Sequence, residues 1–177
     1  MSPVYINSFE TSWGRINTAA VDDGLVFISL PGSDNSHFEH QIARLFPNCR
    51  IERGGALNEQ AEEELTAYLS GKLREFTVKL HLNVTPFQKQ VLDKVAAIPY
   101  GKTRTYGDIA AELGKPNASR AVGSANGRNP LPLVIPCHRV VAAAGLGGYG
   151  GGLNMKRKLL EMEGAFGASV YRQERLI

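Results

Sequence analysis

Thr105-Tyr-Gly-Asp-Ile-Ala-Ala-Glu-Leu-Gly-Lys-Pro-Asn-Ala-Ser-Arg-Ala-Val-Gly-Ser-Ala125 is the stretch whose reading decides the fold of the second half of the chain. Thr105 with Asp108 three residues on has the form of a helix cap, and the helix it opens is expected to run through Ile109 to Leu113. Gly114-Lys-Pro116 makes a turn, after which Asn117 can cap a further helix over residues 118–125. Two short helices joined by a tight glycine-containing turn form a helix-turn-helix pattern. The second helix is built almost wholly from Ala, Ser and Gly around Arg120. Small side chains let a helix backbone approach a narrow groove closely, and its N-terminal amides suit a phosphate. The same composition also serves tight packing between helices.

Upstream, Thr85-Pro-Phe-Gln88 is a strong helix start: a capping hydroxyl, proline at the first helical position, and a Gln placed to bond back to the cap. Phe87, Val91 and Val95 form its apolar stripe and Pro99 ends it. Residues 76–84 alternate strictly, with Phe76, Val78, Leu80, Leu82 and Val84 on one face, which predicts a strand or an extended linker. The first half reads as mixed α/β. Strands are expected over Val4 to Phe9, Trp13 to Val21 and Leu25 to Leu30, the last two joined by Asp22-Asp-Gly24. Helical spacing links Phe38, Ile42, Leu45 and Phe46, and a further helix is expected from Glu59 to Tyr68. Two domains follow, residues 1–84 and 85–177.

Charge divides at the same place. Residues 1–84 carry 7 Lys and Arg against 11 Asp and Glu, a net −4, whereas residues 85–177 carry 13 against 6, a net +7. A basic half suits a polyanion such as nucleic acid, although charge alone fits a solvated basic face equally well. Two cysteines, Cys49 and Cys137, are too few for a disulfide scaffold and point to a reducing compartment, with no bridge between them. No apolar run reaches membrane-spanning length, and Met1-Ser-Pro-Val-Tyr5 has neither the basic region nor the apolar core of an export signal. A cytoplasmic protein, or one associated with the nucleoid or nucleus, is expected.

Chemistry is suggested by Asn129-Pro-Leu-Pro-Leu-Val-Ile-Pro-Cys-His-Arg-Val-Val141. Cys137 stands between a rigid proline and an imidazole. Apolar burial by Leu131 to Ile135 would raise the thiol pKa, and His138 with Arg139 would oppose that shift. A free cysteine in such a run also reads as a small buried hydrophobe.

The ordered set Arg120-Ala-Val-Gly, Asn129-Pro, Ile135-Pro-Cys-His-Arg-Val-Val and a Gly/Tyr-rich loop resembles the 6-O-alkylguanine-DNA alkyltransferases, also called methylated-DNA–protein-cysteine methyltransferases. The resemblance is close from Thr85 to Gly164 and weaker before it. It implies an α/β N-terminal domain with a small antiparallel sheet and helices, and a mainly α C-terminal domain carrying a winged helix-turn-helix. It also implies a monomer that binds double-stranded DNA carrying alkylated bases, flips the damaged base out, and takes its alkyl group onto a cysteine in one irreversible event. By this resemblance Cys137 is the alkyl acceptor, His138 the general base and Glu163, rather than the surface residue Glu161, the acid that orients it. Neighbouring residues do not face one another on a helix, so His138 is expected to reach Cys137 through a water.

Tyr106 matches the tyrosine that bonds the flipped base and neutralises the departing guanine, and Arg120 the finger that fills the vacated stack. Ala118 and Ser119 lie beside it at the DNA, and Asn129 matches the hinge between the recognition helix and the acceptor. The carbonyls of Cys137 and Val140 would accept from the guanine amino group. Tyr149 matches a pocket wall, and the Gly150 amide would meet the guanine oxygen. Several family members carry Ser where this chain has Gly150, so a roomier lid admitting bulkier alkyl groups is expected. No cofactor is implied. Some relatives hold a zinc, but His37, His40, Cys49 and His81 lack the matching ligand set, so no metal is expected and Cys49 reads as a core residue.

Two other readings compete. Cys137, His138 and Glu163 would also suit a cysteine hydrolase, whose acyl intermediate turns over. A damage-sensing DNA-binding module would flip the base without repairing it, but relatives of that kind lack the cysteine. Gly145-Leu-Gly-Gly-Tyr-Gly150 satisfies the dinucleotide fingerprint by spacing alone, and the helix expected after it, capped by Asn154 and ending near Gly164, is not followed by the second strand and acid that the fingerprint needs.

Overall fold

The three stretches of the first half of the chain that are expected as strands lie side by side in one sheet. The computed structural model describes residues 2–165. They fall into two compact units, one of Met1–Asn83 with Pro130–Pro132 and one of Val84–Asn129 with the chain from Leu133 onward.

In the first unit β1 (Val4–Thr11), β2 (Gly14–Val21) and β3 (Gly24–Ile28) form an antiparallel meander. α1 (Asn35–Leu45), β4 (Ile51–Arg53) and α2 (Ala56–Leu69) follow. The sheet order is β3-β2-β1-β4. One face of the sheet, through Val4, Ala19 and Val26, packs on Phe38 and Ile42 of α1, with Cys49 at the margin of that cluster. From the other face Asn7 donates to Glu62 of α2, 2.7 Å away. With a helix on each face, β2 is buried from Ile16 to Ala20 without alternation, as a covered strand must be.

The expected antiparallel sheet is therefore mixed, because β4 pairs parallel to β1 through Val4↔Ile51 and Ile6↔Arg53. Three residues with the pattern exposed, intermediate, exposed carry no periodicity to read. Residues 76–84 keep their alternating burial but form no strand. They run extended along the free edge of β3, bonded to Leu25 from the Lys79 carbonyl and the His81 amide.

The second unit is mainly helical: α3 (Pro86–Ala96), α4 (Tyr106–Glu112), α5 (Ser119–Gly127) and α6 (Leu153–Met162), with β5 (Arg104–Thr105) paired parallel to β6 (Val140–Val141). Thr105 and Asp108 form the full reciprocal cap of α4. Three other capping expectations fail. Gln88 turns away from Thr85 and donates to the Ala125 and Arg128 carbonyls at the end of α5, 3.4 and 3.0 Å away, because those last-turn carbonyls lack helical partners. α5 starts from Ala118, not Asn117, and α6 from Gly152, not Asn154, neither with a side-chain cap. Among the described residues no helix is long and apolar enough to cross a membrane.

Candidate active site

Pairing of β5 with β6 brings two distant stretches together. Tyr106 follows β5 directly, and a single 3-10 turn, Cys137–Arg139, leads into β6. The approach to that turn is tightly bound. Leu133, fully buried, takes left-handed backbone at φ 73°, a conformation costing a non-glycine residue about 1–2 kcal/mol. Asn129 Nδ2 donates to the Ile135 carbonyl at 2.8 Å, and Asn126 Nδ2 to the Cys137 carbonyl at 3.2 Å. The end of α5 and the residues after it thus hold the turn on either side of Pro136.

Cys137 is 7% exposed and is a free thiol. Burial pushes its pKa up, against a hydrogen bond from the Asn129 side chain and the charge of Lys156. The balance expected between apolar burial and the charges of His138 and Arg139 therefore falls to burial. Arg139 does not serve the thiol. In a 3-10 turn consecutive side chains fan out by about 120°, and the Arg139 guanidinium reaches Glu163 instead, with Nε to Oε2 at 2.9 Å and NH2 to Oε1 at 2.8 Å.

His138 and Glu163 meet in the same buried cluster. His138 Nε2 lies 2.9 Å from Glu163 Oε1, both side chains wholly excluded from solvent. A carboxylate only accepts, so Nε2 carries the proton and, in the neutral ring, Nδ1 carries the lone pair. Burial holds the imidazole below its ordinary pKa, opposed by the bond and charge of Glu163 and reinforced by Arg139 and Lys156. Glu163 caps the C-terminus of α6, and its Oε2 also accepts from the Gly101 amide at 3.3 Å. Gly101 is at φ +77°, and a Cβ there would stand 2.8 Å from the Glu163 carbonyl, so only glycine lets this backbone pass. Glu161 is exposed.

The remaining expected residues surround the thiol or lie on α5. Tyr106, half-buried, has its phenol pKa raised by burial, with a hydrogen bond from the Gly148 backbone lowering it and the Cys137 charge raising it. Its ring meets α5 at Gly123, and a Cβ on Gly147, at φ +73°, would fall 2.7 Å from its hydroxyl. The Tyr149 hydroxyl is buried, and burial with the nearby Cys137 and Glu163 charges raises its pKa well above the usual tyrosine range. Gly150 is exposed, and a Cβ there would meet nothing within 4 Å. Ala118 and Ser119 are partly buried at the start of α5, and Arg120 projects exposed. Among the described residues no cluster of His, Cys, Asp or Glu could hold a metal ion.

Lys156 was not anticipated. It is completely buried on α6, and Nζ donates to the Val140 carbonyl at 2.6 Å and the Gly148 carbonyl at 3.0 Å. Burial lowers its pKa to about 8. The Val140 carbonyl, expected to serve the guanine amino group, thus already has one donor and keeps one lone pair. A signal existed: Lys156, Leu160 and Glu163 share a helix face with apolar spacing, so two ionisable residues occupy positions that periodicity assigns to the core.

Residues 86–165 match the sequence profile described as the 6-O-methylguanine DNA methyltransferase DNA binding domain. A methylated-DNA–protein-cysteine methyltransferase of Mycobacterium bovis is 55% identical over 104 residues, which cover 58% of this chain and 63% of that protein's length. One of the same name from Methanosarcina acetivorans is 42% identical over 164 residues, 92% of this chain and 99% of the other. The Mycobacterium tuberculosis OGT crystallised in complex with DNA superposes with a TM-score of 0.76 at 37% identity, over 91% of this chain and 93% of that one.

Proposed function

The chain belongs to the methylated-DNA–protein-cysteine methyltransferase family, and from that premise we propose that it repairs DNA by moving the alkyl group of a 6-O-alkylguanine irreversibly onto Cys137. The observation that carries this reading is the buried His138–Glu163 bond of 2.9 Å immediately after a thiol that burial keeps protonated. A thiol so held does not react with stray electrophiles. It becomes a nucleophile only when a base takes its proton.

His138 is the base, with Nδ1 receiving the thiol proton through a water and Glu163 fixing the tautomer. The sulfur lone pair forms the S–C bond as the C–O bond to guanine breaks, and that electron pair remains on the guanine oxygen. Tyr106, a neutral phenol, donates to the departing base, so guanine leaves without a full charge. The product is an S-alkyl thioether, which water does not cleave, and each molecule therefore acts once.

DNA is taken up by the basic unit. α4 and α5 act as a helix-turn-helix, with β6 and the loop after it in the place of the wing. Ala118, Ser119 and the rest of the small-residue face of α5 approach the minor groove, and Arg120 enters the stack where the base has left. Asn129 links α5 to the acceptor turn. The second lone pair of the Val140 carbonyl, the Tyr149 wall and the Gly150 amide receive the base, and the Cys137 carbonyl, which already accepts from Asn126 Nδ2 and the Val140 amide, would share its lone pairs with it. The protein acts on double-stranded DNA as a monomer, where that DNA lies in the cytoplasm.

Intact-mass measurement after incubation with a duplex containing 6-O-methylguanine tests the reading. One methyl group should be gained per molecule, on the Cys137 peptide. Cys137→Ala should still bind the duplex and gain none. Repeated release of product would establish a hydrolase instead, and no gain with intact binding a sensor.

A further inference from the structure

Arg139 stands behind the proposed base, and its arrangement does more than fill space. Its side chain is 7% exposed and bonded along its whole edge, through two bonds to Glu163 and a third from NH1 to the Ile98 carbonyl at 2.7 Å. The guanidinium also lies over the Tyr100 ring, 5.6 Å from its centroid. Such a fork cannot rotate without breaking these bonds, and it sets a positive charge directly against the Glu163 carboxylate.

Consider the cluster without that charge. A carboxylate 2.9 Å from an imidazole, with both side chains buried, attracts a proton strongly onto the ring. An imidazolium cannot accept a proton from a thiol, so the group that orients the base would also switch it off. Arg139 removes this conflict. Paired with it, Glu163 keeps its acceptor geometry and loses most of its field.

We propose that Arg139 is a positioning residue of the alkyl-transfer reaction, which by neutralising Glu163 in a fixed bidentate pair keeps His138 an uncharged base. The inference rests on the reading of His138 as the base for Cys137. The charged and titratable groups facing the imidazole are Glu163 and Lys156 from α6, Arg139 and Cys137 from its own turn, and Tyr149 from the loop before α6. Glu163 alone among them draws a proton toward the ring, and Lys156, like Arg139, opposes it.

The test is the single-turnover rate of alkyl transfer to Cys137 as a function of pH, with a duplex containing 6-O-methylguanine in excess, alongside an NMR titration of the His138 ring in the DNA-free protein. In Arg139→Met the acid limb of the rate profile, and the ring titration with it, should move to higher pH by about 1–2 units. Arg139→Lys keeps the charge while losing the fork. It should hold the limb near the wild-type position and lower only the plateau rate. Glu163→Gln should move the limb in the opposite direction, to lower pH.

A role limited to packing would slow all three variants without moving the limb, and that outcome overturns the proposal. So would equal shifts in Arg139→Lys and Arg139→Met. If Arg139→Met does not fold, the other two variants decide: Lys must hold the limb and Gln must lower it. Wild-type protein that gains no methyl group would instead defeat the underlying assignment of function, while the ring titration would still report whether Arg139 governs the imidazole.

Discussion

The two units bury polar groups of different kinds. Among the described residues, the buried polar side chains of the first unit are Asn17, Thr18, Ser29 and Asn58, all uncharged, whereas the second unit buries Asn126 together with His138, Arg139, Lys156 and Glu163. An uncharged polar group loses little on burial if it is bonded, as Ser29 is to the Asn17 amide at 2.8 Å. An ion costs several kcal/mol even when paired, and a well-packed apolar replacement is often as stable. A fold that needed only stability would not assemble four ionisable side chains around one turn. The first unit is organised as an uncharged core, and the second gathers its buried charges around the Cys137–Arg139 turn.

That contrast can be broken experimentally, most severely at Glu163. Glu163→Ala leaves the Arg139 charge buried without its carboxylate, and should cost about 3–5 kcal/mol in denaturant unfolding. It should also slow alkyl transfer at least ~100-fold, the usual contribution of an oriented base. A variant of wild-type stability would mean that the pair is not the buried ion pair described.

In the first unit Ile16→Ala, at a wholly buried position of β2, should cost about 2–5 kcal/mol. Below its melting range it should transfer alkyl groups at the wild-type rate. A slower rate in fully folded protein would mean that the first unit takes part in the chemistry.

Lys156→Met sharpens the comparison through pH. The folded-state pKa of Lys156 is about 8 against an ordinary 10.5, so between those values the unfolded chain binds more protons than the folded one. Wild-type stability should therefore rise across that window relative to the Met variant, by linkage. His138 has the same sign at lower pH: its folded pKa lies below 6.5, so stability is lost as pH falls from that value. Urea unfolding of wild type and variant at a series of pH values checks both, and a falling difference between pH 8 and 10.5 would contradict the burial of Lys156.

The smallest effect is expected at the surface. Arg15 and Glu10 pair at 2.7 Å with both side chains more than half exposed, and Arg15→Ala should change stability by less than about 1 kcal/mol. Thermal unfolding in low and high salt would show any larger contribution.

Much of this was legible in the chain itself. The strands of the meander, the cap at Thr105 and Asp108, and the candidate cluster of Cys137, His138 and Glu163 all rest on local spacing or on ordered motifs. What was missed is short or distant. β4 has three residues, and the partners of Gln88, Arg139 and Lys156 lie 37 to 40, 24 to 41 and 8 to 16 residues away along the chain. Long flexible side chains are the ones whose direction local sequence leaves open. Arg139 shows this most clearly, since beside Cys137 it reads as a charge for the thiol.

By itself the sequence determined the strands of the meander, the helix starts at Thr85 and Thr105, and which residue types stand near Cys137, because caps, turns and periodicities act within a few residues. Tertiary structure alone decided which charge meets which. The 3-10 turn sends Cys137, His138 and Arg139 in separate directions, and the end of α6 brings Glu163 to two of them. In a buried site those pairings, rather than neighbourhood in the chain, set whether the thiol stays protonated and whether the imidazole stays neutral.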